Sequence, residues 1–197
     1  MAENSVAASS LAAITTPVNI VPIRPEASGL GQLVLPFQVA RYPELRYMGS
    51  KKRLLPWIHQ VLDSFDFETA LDPFSGTACV AYLMKAMGRR VIAGDFLNFS
   101  SIIARATVEN SNRRLDGKAI KRLIDRTPGV HNFIERTFTG VFFTREDLRF
   151  LDRLSGSIQH LEDPHERALA YSALFRSCLK RQPRGVFTVS GDLIPLR

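Results

Sequence analysis

The 197-residue sequence predicts an α/β protein with a doubly wound parallel sheet, followed by a helical region. The first observation is a short apolar run, residues 69–71, that leads through a turn at Gly76 into apolar residues at helical spacing. The second is another apolar run, residues 91–94, that comes after a helix end at Gly88 and stops at Asp95. Strands that alternate with amphipathic helices are typical of a parallel sheet covered on both faces.

Composition and predicted structure divide the chain into three parts. Residues 1–40 are rich in Ala, Ser, Val and Pro and carry hardly any charge, which predicts a flexible leader. Residues 41–112 contain the two predicted strands and the glycine turn, and form the α/β part. Residues 113–197 are helical and basic and show no second strand–helix–strand series. We therefore expect an incomplete Rossmann-like domain with a helical, basic insertion that begins the recognition region.

Helix starts are recognisable in the basic part. Thr144 followed by Asp147 resembles a capping box, in which the first side chain accepts a hydrogen bond from a backbone N–H. Asp163 and Pro164 supply a cap and a proline suited to the first helical position. A further basic helix is expected over residues 118–126. These patterns predict a largely helical second half.

The charge balance favours a polyanionic partner. The net charge is +7 and the sequence pI is about 9.8. Binding of a basic protein to a nucleic acid is favourable because each neutralised phosphate releases condensed counterions. A merely basic protein accounts for the charge equally well. The basic residues gather in separate patches: Lys51–Arg53, Arg113–Arg114, Lys118–Arg126 and Arg176–Arg184.

The sequence shows no sign of a membrane span, a disulfide framework or a metal site. No apolar run approaches the roughly 18 residues that a spanning helix needs. The opening stretch has an early Glu3, no basic start and a proline at position 17, which is unlike a signal peptide. Two cysteines cannot indicate a disulfide framework, and the four histidines show no metal-ligand spacing. We therefore expect a cytoplasmic protein without a metal.

The residues suited to chemistry follow the two predicted strands. Gly76 allows a tight backbone turn, and the N-terminus of the next helix offers backbone N–H groups. Asp95 follows about twenty positions later, where an acidic side chain can hydrogen-bond a ribose. This arrangement fits a nucleoside cofactor, either a dinucleotide or S-adenosylmethionine. A turn that uses glycine for geometry alone is the alternative.

Two ordered motifs distinguish these possibilities. Tyr-Met-Gly-Ser-Lys at residues 47–51 precedes Asp-Pro-Phe-Ser-Gly at residues 72–76, and the sequence over about residues 41–112 resembles the D12 class of adenine-N6 DNA methyltransferases. In that class both motifs wrap the methyl donor, S-adenosylmethionine. Residues 140–189 resemble, more loosely, the helical insertion that follows in many members. The resemblance implies an S-adenosylmethionine-dependent methyltransferase fold.

By this resemblance, the first motif closes over the methionine end of the cofactor. The residues implied are Tyr47, Met48, Gly49 and Lys51. Lys51 would offer its ammonium group to the cofactor's carboxylate, and Tyr47 an aromatic surface. Judged without the resemblance, Lys51 is a solvated charge in a basic run, and Tyr47 is an ordinary core residue.

The second motif and the end of the second strand are implied to form the rest of the site. The implied loop residues, which lie under the methionine and the sugar, are Asp72, Phe74, Ser75 and Gly76. Asp95 would bind the ribose hydroxyls, with Phe96 against the adenine ring. The plainer alternatives are core packing for Phe74, bracing of the loop by Asp72 and a turn role for Asp95.

Two departures from the family pattern bear on function. The loop of the family often has a second glycine where this chain has Ala78. More seriously, the sequence contains no Asp/Asn-Pro-Pro-Tyr/Phe tetrapeptide. In the family this tetrapeptide accepts hydrogen bonds from the target amine and stacks on the flipped base, and it follows the helical insertion. No catalytic residue is therefore assigned in this chain.

The sequence thus predicts the S-adenosylmethionine-binding portion of a site-specific DNA adenine-N6 methyltransferase of the restriction–modification kind. This chain is expected to be inactive on its own. Double-stranded DNA is the expected partner, together with a second chain carrying the catalytic half if the enzyme is split. A truncated or decayed chain that binds cofactor or DNA without turnover is the first alternative. A nicotinamide-binding protein is the second, and it is disfavoured because the loop has one glycine where a dinucleotide fingerprint has three.

Overall fold

The computed structural model describes residues 35–43, 45, 47–125 and 132–180. The helices are α1 (Leu55–Asp63), α2 (Cys79–Ala86), α3 (Asn98–Ala104), α4 (Gly117–Asp125), α5 (Phe133–Phe138), α6 (Arg145–Gln159) and α7 (Pro164–Lys180), and the strands are β1 (Thr69–Asp72) and β2 (Arg90–Ala93). Short 3-10 helices span Phe37–Arg41 and Lys52–Leu54, and α3 continues as a π-helical segment, Arg105–Glu109. The described part is a mixed α/β structure dominated by helices. The predicted leader before residue 35 lies outside the described residues.

The two strands form a parallel pair, as the apolar runs predict. Their register runs from Thr69 opposite Arg90 to Asp72 opposite Ala93. α2 connects them and ends near the predicted glycine: Gly88 has a φ of 79°, which is the left-handed conformation that favours glycine after a helix. The carboxyl ends of β1 and β2 therefore meet at one edge of the sheet.

The described residues cover only one face of this sheet, whereas the sequence predicted cover on both. Val91 packs against the small residues of α2 and α3, among them Ala81 and Ala104. Leu71 and Ile92, which lie opposite each other in register, are 63% and 56% exposed. The helices that follow the two strands lie on the same face and pack against each other, so in the described residues the doubly wound arrangement stays a prediction.

An apolar core joins the N-terminal segment to α2. Val39 and Leu55 are buried against Cys79 and Leu83. Residues 35–40, which the sequence assigned to the leader, therefore include a core residue. This packing holds the segment that leads to Tyr47 close to the start of α2.

The described residues of the basic part form four helices, α4 to α7, joined by short connections, and the starts of α6 and α7 are those that the sequence predicts. The Oγ1 of Thr144 accepts a 3.2 Å hydrogen bond from the N–H of Asp147 at the start of α6. The Oδ1 of Asp163 accepts bonds of 2.8 and 3.1 Å from the N–H groups of His165 and Glu166 at the start of α7. α6 packs against α4, α5 and α7. Within the described ranges, no helix has the length and apolarity that crossing a bilayer requires.

Candidate functional site

The loop after β1 is held at the carboxyl edge of the sheet by its own backbone. The N–H of Ser75 donates to the carbonyl of Gly94 at 2.9 Å, and the N–H of Gly94 donates to the carbonyl of Asp72 at 2.9 Å. Gly76 has a φ of 53°, and Ala78, at the start of α2, has a φ of 60°. The left-handed conformation explains the glycine at position 76 and is strained for the alanine at position 78. The loop is therefore tightly turned.

Asp95 joins this loop to the end of β2. Its Oδ2 accepts a hydrogen bond of 2.8 Å from the N–H of Gly76, and its Oδ1 accepts one of 2.9 Å from the N–H of Leu97. These two bonds, the Leu97 bond first, lower the pKa of the Asp95 carboxyl below its ordinary value because they favour the charged form. Asp95 is therefore ionised at neutral pH, and a backbone N–H of the loop points at it.

Asp72 has the opposite electrostatic setting. Its side chain is half-buried at the end of β1, and burial raises the pKa of its carboxyl. The nearby charge of Asp95 raises it further, while a hydrogen bond from the backbone of Phe74 opposes the shift. The site thus holds two carboxyl groups whose environments displace their pKa values in opposite directions.

The predicted first motif forms a turn that lies over this loop. The N–H of Ser50 donates to the carbonyl of Tyr47 at 3.2 Å, and Gly49 has a φ of 84°, as a turn of this kind requires. A side chain at Gly76 would bring its Cβ within 4.0 Å of Cε1 of Tyr47. The Tyr47 ring therefore lies close to the glycine of the loop.

Two further contacts hold the N-terminal segment to the loop. The hydroxyl of Tyr42 donates to the carbonyl of Thr77, and Ser50 Oγ lies 3.4 Å from Thr77 Oγ1. Tyr42 is buried, which raises the pKa of its hydroxyl. Sequence reasoning did not identify Tyr42 or Thr77 as part of this region.

Three of the residues implied by the resemblance present apolar side chains to solvent. Met48, Phe74 and Phe96 are 79%, 84% and 96% exposed. Their apolar surfaces are therefore available for contact with a ligand or with another part of the protein. This arrangement does not fit core packing, which was the plainer alternative for Phe74.

Two polar residues of the motifs, Lys51 and Ser75, differ in burial. Lys51 is exposed, and its Nζ donates to the carbonyl of Gly49 at 3.2 Å. The hydroxyl of Ser75 is buried in the loop, and among the described residues it has no hydrogen-bond partner. A buried hydroxyl without a partner is unfavourable unless a ligand or water completes its bonding.

An aromatic stack connects the turn to the helical part, and sequence reasoning missed it. The ring centroid of Tyr47 lies 5.7 Å from that of Phe99, with the planes 16° apart. Phe99 in turn lies 5.0 Å from Phe175 of α7, and Phe175 lies 5.9 Å from Tyr171. The available signal was Phe99 itself, four positions after Asp95 in the first turn of α3.

The structure thus brings Tyr47, Gly76 and Asp95 together at the carboxyl edge of the sheet. Asp72 and Ser75 belong to the same loop. Lys51, Phe74 and Phe96 extend from the surrounding turns into solvent. No group of three potential metal ligands occurs in the described ranges.

Comparison with known proteins identifies the class. The chain belongs to the D12 class of N6 adenine-specific DNA methyltransferases, whose family model matches residues 47–180. It is 29% identical over 154 residues to a type II methyltransferase, M2.HphI of Haemophilus parahaemolyticus, a match that covers 78% of this chain and 45% of the relative.

Two further relatives are modification methylases. The chain is 40% identical over 80 residues to StsI of Streptococcus sanguinis, covering 39% of this chain and 12% of that protein. It is 29% identical over 133 residues to LlaI of Lactococcus lactis subsp. lactis, covering 59% and 21%. The chain therefore spans less than half the length of each of these relatives. No solved structure matches it significantly.

Proposed function

We propose that this chain binds S-adenosylmethionine between the turn of residues 47–51 and the loop of residues 72–76, as part of a DNA adenine-N6 methyltransferase. The observation that supports it is the convergence of three separate segments at one sheet edge: Tyr47 lies against Gly76, whose N–H is bonded to Asp95. Ligands of open α/β sheets bind at the carboxyl ends of the strands. Membership of the D12 class supports the same ligand.

The polar groups suit a ligand with sugar hydroxyls and an amino-acid end. Each carboxylate oxygen of Asp95 accepts one backbone hydrogen bond and has a further lone pair for a ribose hydroxyl. The Ser75 hydroxyl, which has no partner among the described residues, can bond the ligand next to the loop. Lys51 uses one of its three donors on Gly49 and has two others for a carboxylate.

The exposed apolar side chains complete the proposed site. Phe96 follows Asp95 directly and is the surface for the adenine ring. Phe74 lies in the loop and, with Met48, covers the methionine end and the sugar. Burial of these three side chains by the ligand would offset the cost of exposing them in the free protein.

The chain's own residues bind and orient, and they do not complete the reaction. When bound, S-adenosylmethionine supplies an electrophilic methyl group on its sulfonium sulfur. Residues 41–112 hold the cofactor in this proposal, and the basic helices from residue 113 face double-stranded DNA. The groups that accept hydrogen bonds from the adenine amine come from a segment with the Asp-Pro-Pro-Tyr motif, on another part of the enzyme or on a second chain. That segment would also cover Leu71 and Ile92 and complete a doubly wound sheet.

Calorimetric titration of the 197-residue chain with S-adenosylmethionine tests the proposal. We expect saturable heat with this cofactor and none with NAD, because the loop lacks the three-glycine fingerprint. Lys51→Ala should weaken binding by roughly tenfold, since it removes a charge-assisted bond to the carboxylate. Arg53→Ala, which removes an exposed charge two positions away, is the matched control and should bind as the wild type does. Heat with NAD alone would overturn the proposal.

A further inference from the structure

A basic cavity lies between α2, the π-helical end of α3 and α7. Its volume is about 710 Å³, within the range of small-molecule sites. Five cationic side chains line it: Arg41, Lys85, Arg114, Arg176 and Lys180. Among the described residues, the lining contains no carboxylate. The cavity therefore concentrates positive charge on a concave surface.

The position of Lys85 separates this cavity from the cofactor loop. α2 begins at Cys79, next to the loop, and Lys85 lies six residues further on. At 1.5 Å per residue, Lys85 is about 9 Å along the helix axis. Asn110, which follows the π-helical segment, lies at the same end. The Lys85 end of the cavity therefore lies toward the amino ends of the strands, and no residue proposed for the cofactor lines the cavity.

Lys85 is held in place by backbone groups. Its Nζ donates to the carbonyl of Asn110 at 2.6 Å and to the carbonyl of Thr107 at 3.0 Å. Two of its three donors are used, and the third is available for a ligand. Partial burial lowers the pKa of its ammonium group, so a bound anion would relieve an unfavourable setting. Lys85 is thus a fixed cation in the cavity wall.

Two arginines of the cavity differ from the ion-paired arginines of the surface. Arg113 pairs with Asp163 at 2.9 Å, and Arg145 and Arg149 both pair with Glu135. In contrast, Arg114 and Arg176 form no ion pair with a carboxylate of the described residues. Like charges on a concave surface repel one another unless an anion lies between them, and arginine forks match phosphate oxygens.

We propose that this cavity binds phosphate groups, either free or in a nucleic-acid backbone. Its cations come from four separate parts of the chain, and a volume of about 710 Å³ has room for more than one phosphate. The site is distinct from the cofactor loop, and the proposal does not depend on S-adenosylmethionine binding.

The test compares two double variants of the full chain. Arg114→Gln/Arg176→Gln removes two cavity charges, and Arg90→Gln/Arg136→Gln removes two exposed charges that line no described cavity. Two probes are used: tripolyphosphate in calorimetry, and a short fluorescent DNA duplex in anisotropy at several salt concentrations. Melting curves confirm that both variants fold, and S-adenosylmethionine affinity should be equal in both.

Weaker tripolyphosphate binding, by roughly tenfold in the cavity variant alone, would support a free-phosphate ligand. Absence of tripolyphosphate binding, with a DNA salt dependence whose log–log slope is shallower by about 2 in the cavity variant alone, would support backbone phosphates. The proposal is overturned if the wild type binds neither probe, or if the two variants behave alike with both. If the wild type does not bind S-adenosylmethionine, the proposed function is contradicted, but the conclusion about phosphate binding in the cavity is unaffected.

Discussion

The backbone N–H of Gly76 donates a hydrogen bond of 2.8 Å to Oδ2 of Asp95. The two residues are nineteen positions apart in the sequence and follow different strands, so this bond ties the two ends of the parallel pair together. It also orients the carboxylate that we propose for the ribose hydroxyls. Asp95 therefore has a role in the loop itself besides its proposed role in binding.

The first prediction concerns Asp95→Ala. The change removes two acceptors for the ribose hydroxyls and the partner of the Gly76 N–H. Losing hydrogen bonds to a charged group costs on the order of 1.5–3 kcal/mol, so S-adenosylmethionine affinity should fall about 10- to 150-fold. Calorimetry measures this directly. Unchanged affinity would show that the ribose does not bind at Asp95.

Asp95→Asn is the informative companion. The amide keeps one acceptor oxygen for the Gly76 N–H but replaces the other oxygen with a donor, facing the N–H of Leu97. Its affinity should lie between those of the wild type and Asp95→Ala. Equal losses in the two variants would mean that the charge matters more than the loop contact.

The second prediction concerns pH and Asp72. Burial raises the pKa of this carboxyl above its ordinary value of 3.8, so folding favours the protonated form. The associated stability is present at low pH and is lost as pH rises through the folded pKa. Asp72→Asn should therefore melt at a higher temperature than the wild type at pH 7, and the difference should shrink as pH falls toward 4. A difference that grows on acidification would contradict this.

Local patterns predicted much of this structure, because they depend on neighbours in the sequence. The strands, the turn at Gly76 and the cap at Thr144 follow from short-range spacing and backbone preference. The stack of Tyr47 on Phe99 could not be predicted in this way, since it depends on how the turn of residues 47–51 packs against α3.

Two other features also needed tertiary information. Ala78 has a φ of 60°. The sequence comparison with the family indicated only that a glycine is common at that position. Its methyl group is buried among small residues, so packing offsets the strain of the left-handed conformation. Leu71 and Ile92 are exposed, although the apolar runs predicted buried strands. An apolar run indicates that a face of the sheet is to be covered, but it does not show which segment covers it.

The third prediction concerns Thr144→Ala at the start of α6. The hydroxyl accepts the N–H of Asp147, and removal of a helix cap costs about 1 kcal/mol. The free energy of unfolding in urea should fall by that amount. Thr137→Ala is the control, because its exposed hydroxyl bonds only to the Phe133 carbonyl within α5 and its loss should change stability by less than about 0.5 kcal/mol. Equal losses would show that the cap is not the cause.

The fourth prediction is that the 197-residue chain alone does not transfer a methyl group to DNA. Extruding adenine from the duplex costs a few kcal/mol, and in this family the receiving pocket is made by the prolines and aromatic ring of a motif that the sequence lacks. Without acceptors for the amine hydrogens, the nitrogen lone pair stays conjugated with the ring and is a poor nucleophile. Positioning the cofactor does not replace this, because rate depends on stabilising charge that develops in the transition state.

Radiolabelled methyl transfer to mixed genomic DNA measures this with saturating S-adenosylmethionine. Activity of the pure chain would overturn the prediction and would require another segment to do the work of the missing motif. Asp163-Pro164 is the nearest sequence match, but the Asp163 carboxylate is occupied in capping α7. Activity that arises only when a chain with the Asp-Pro-Pro-Tyr motif is added would support a split enzyme. Persistent inactivity with such a chain, together with measurable cofactor binding, would instead support a non-catalytic cofactor-binding protein.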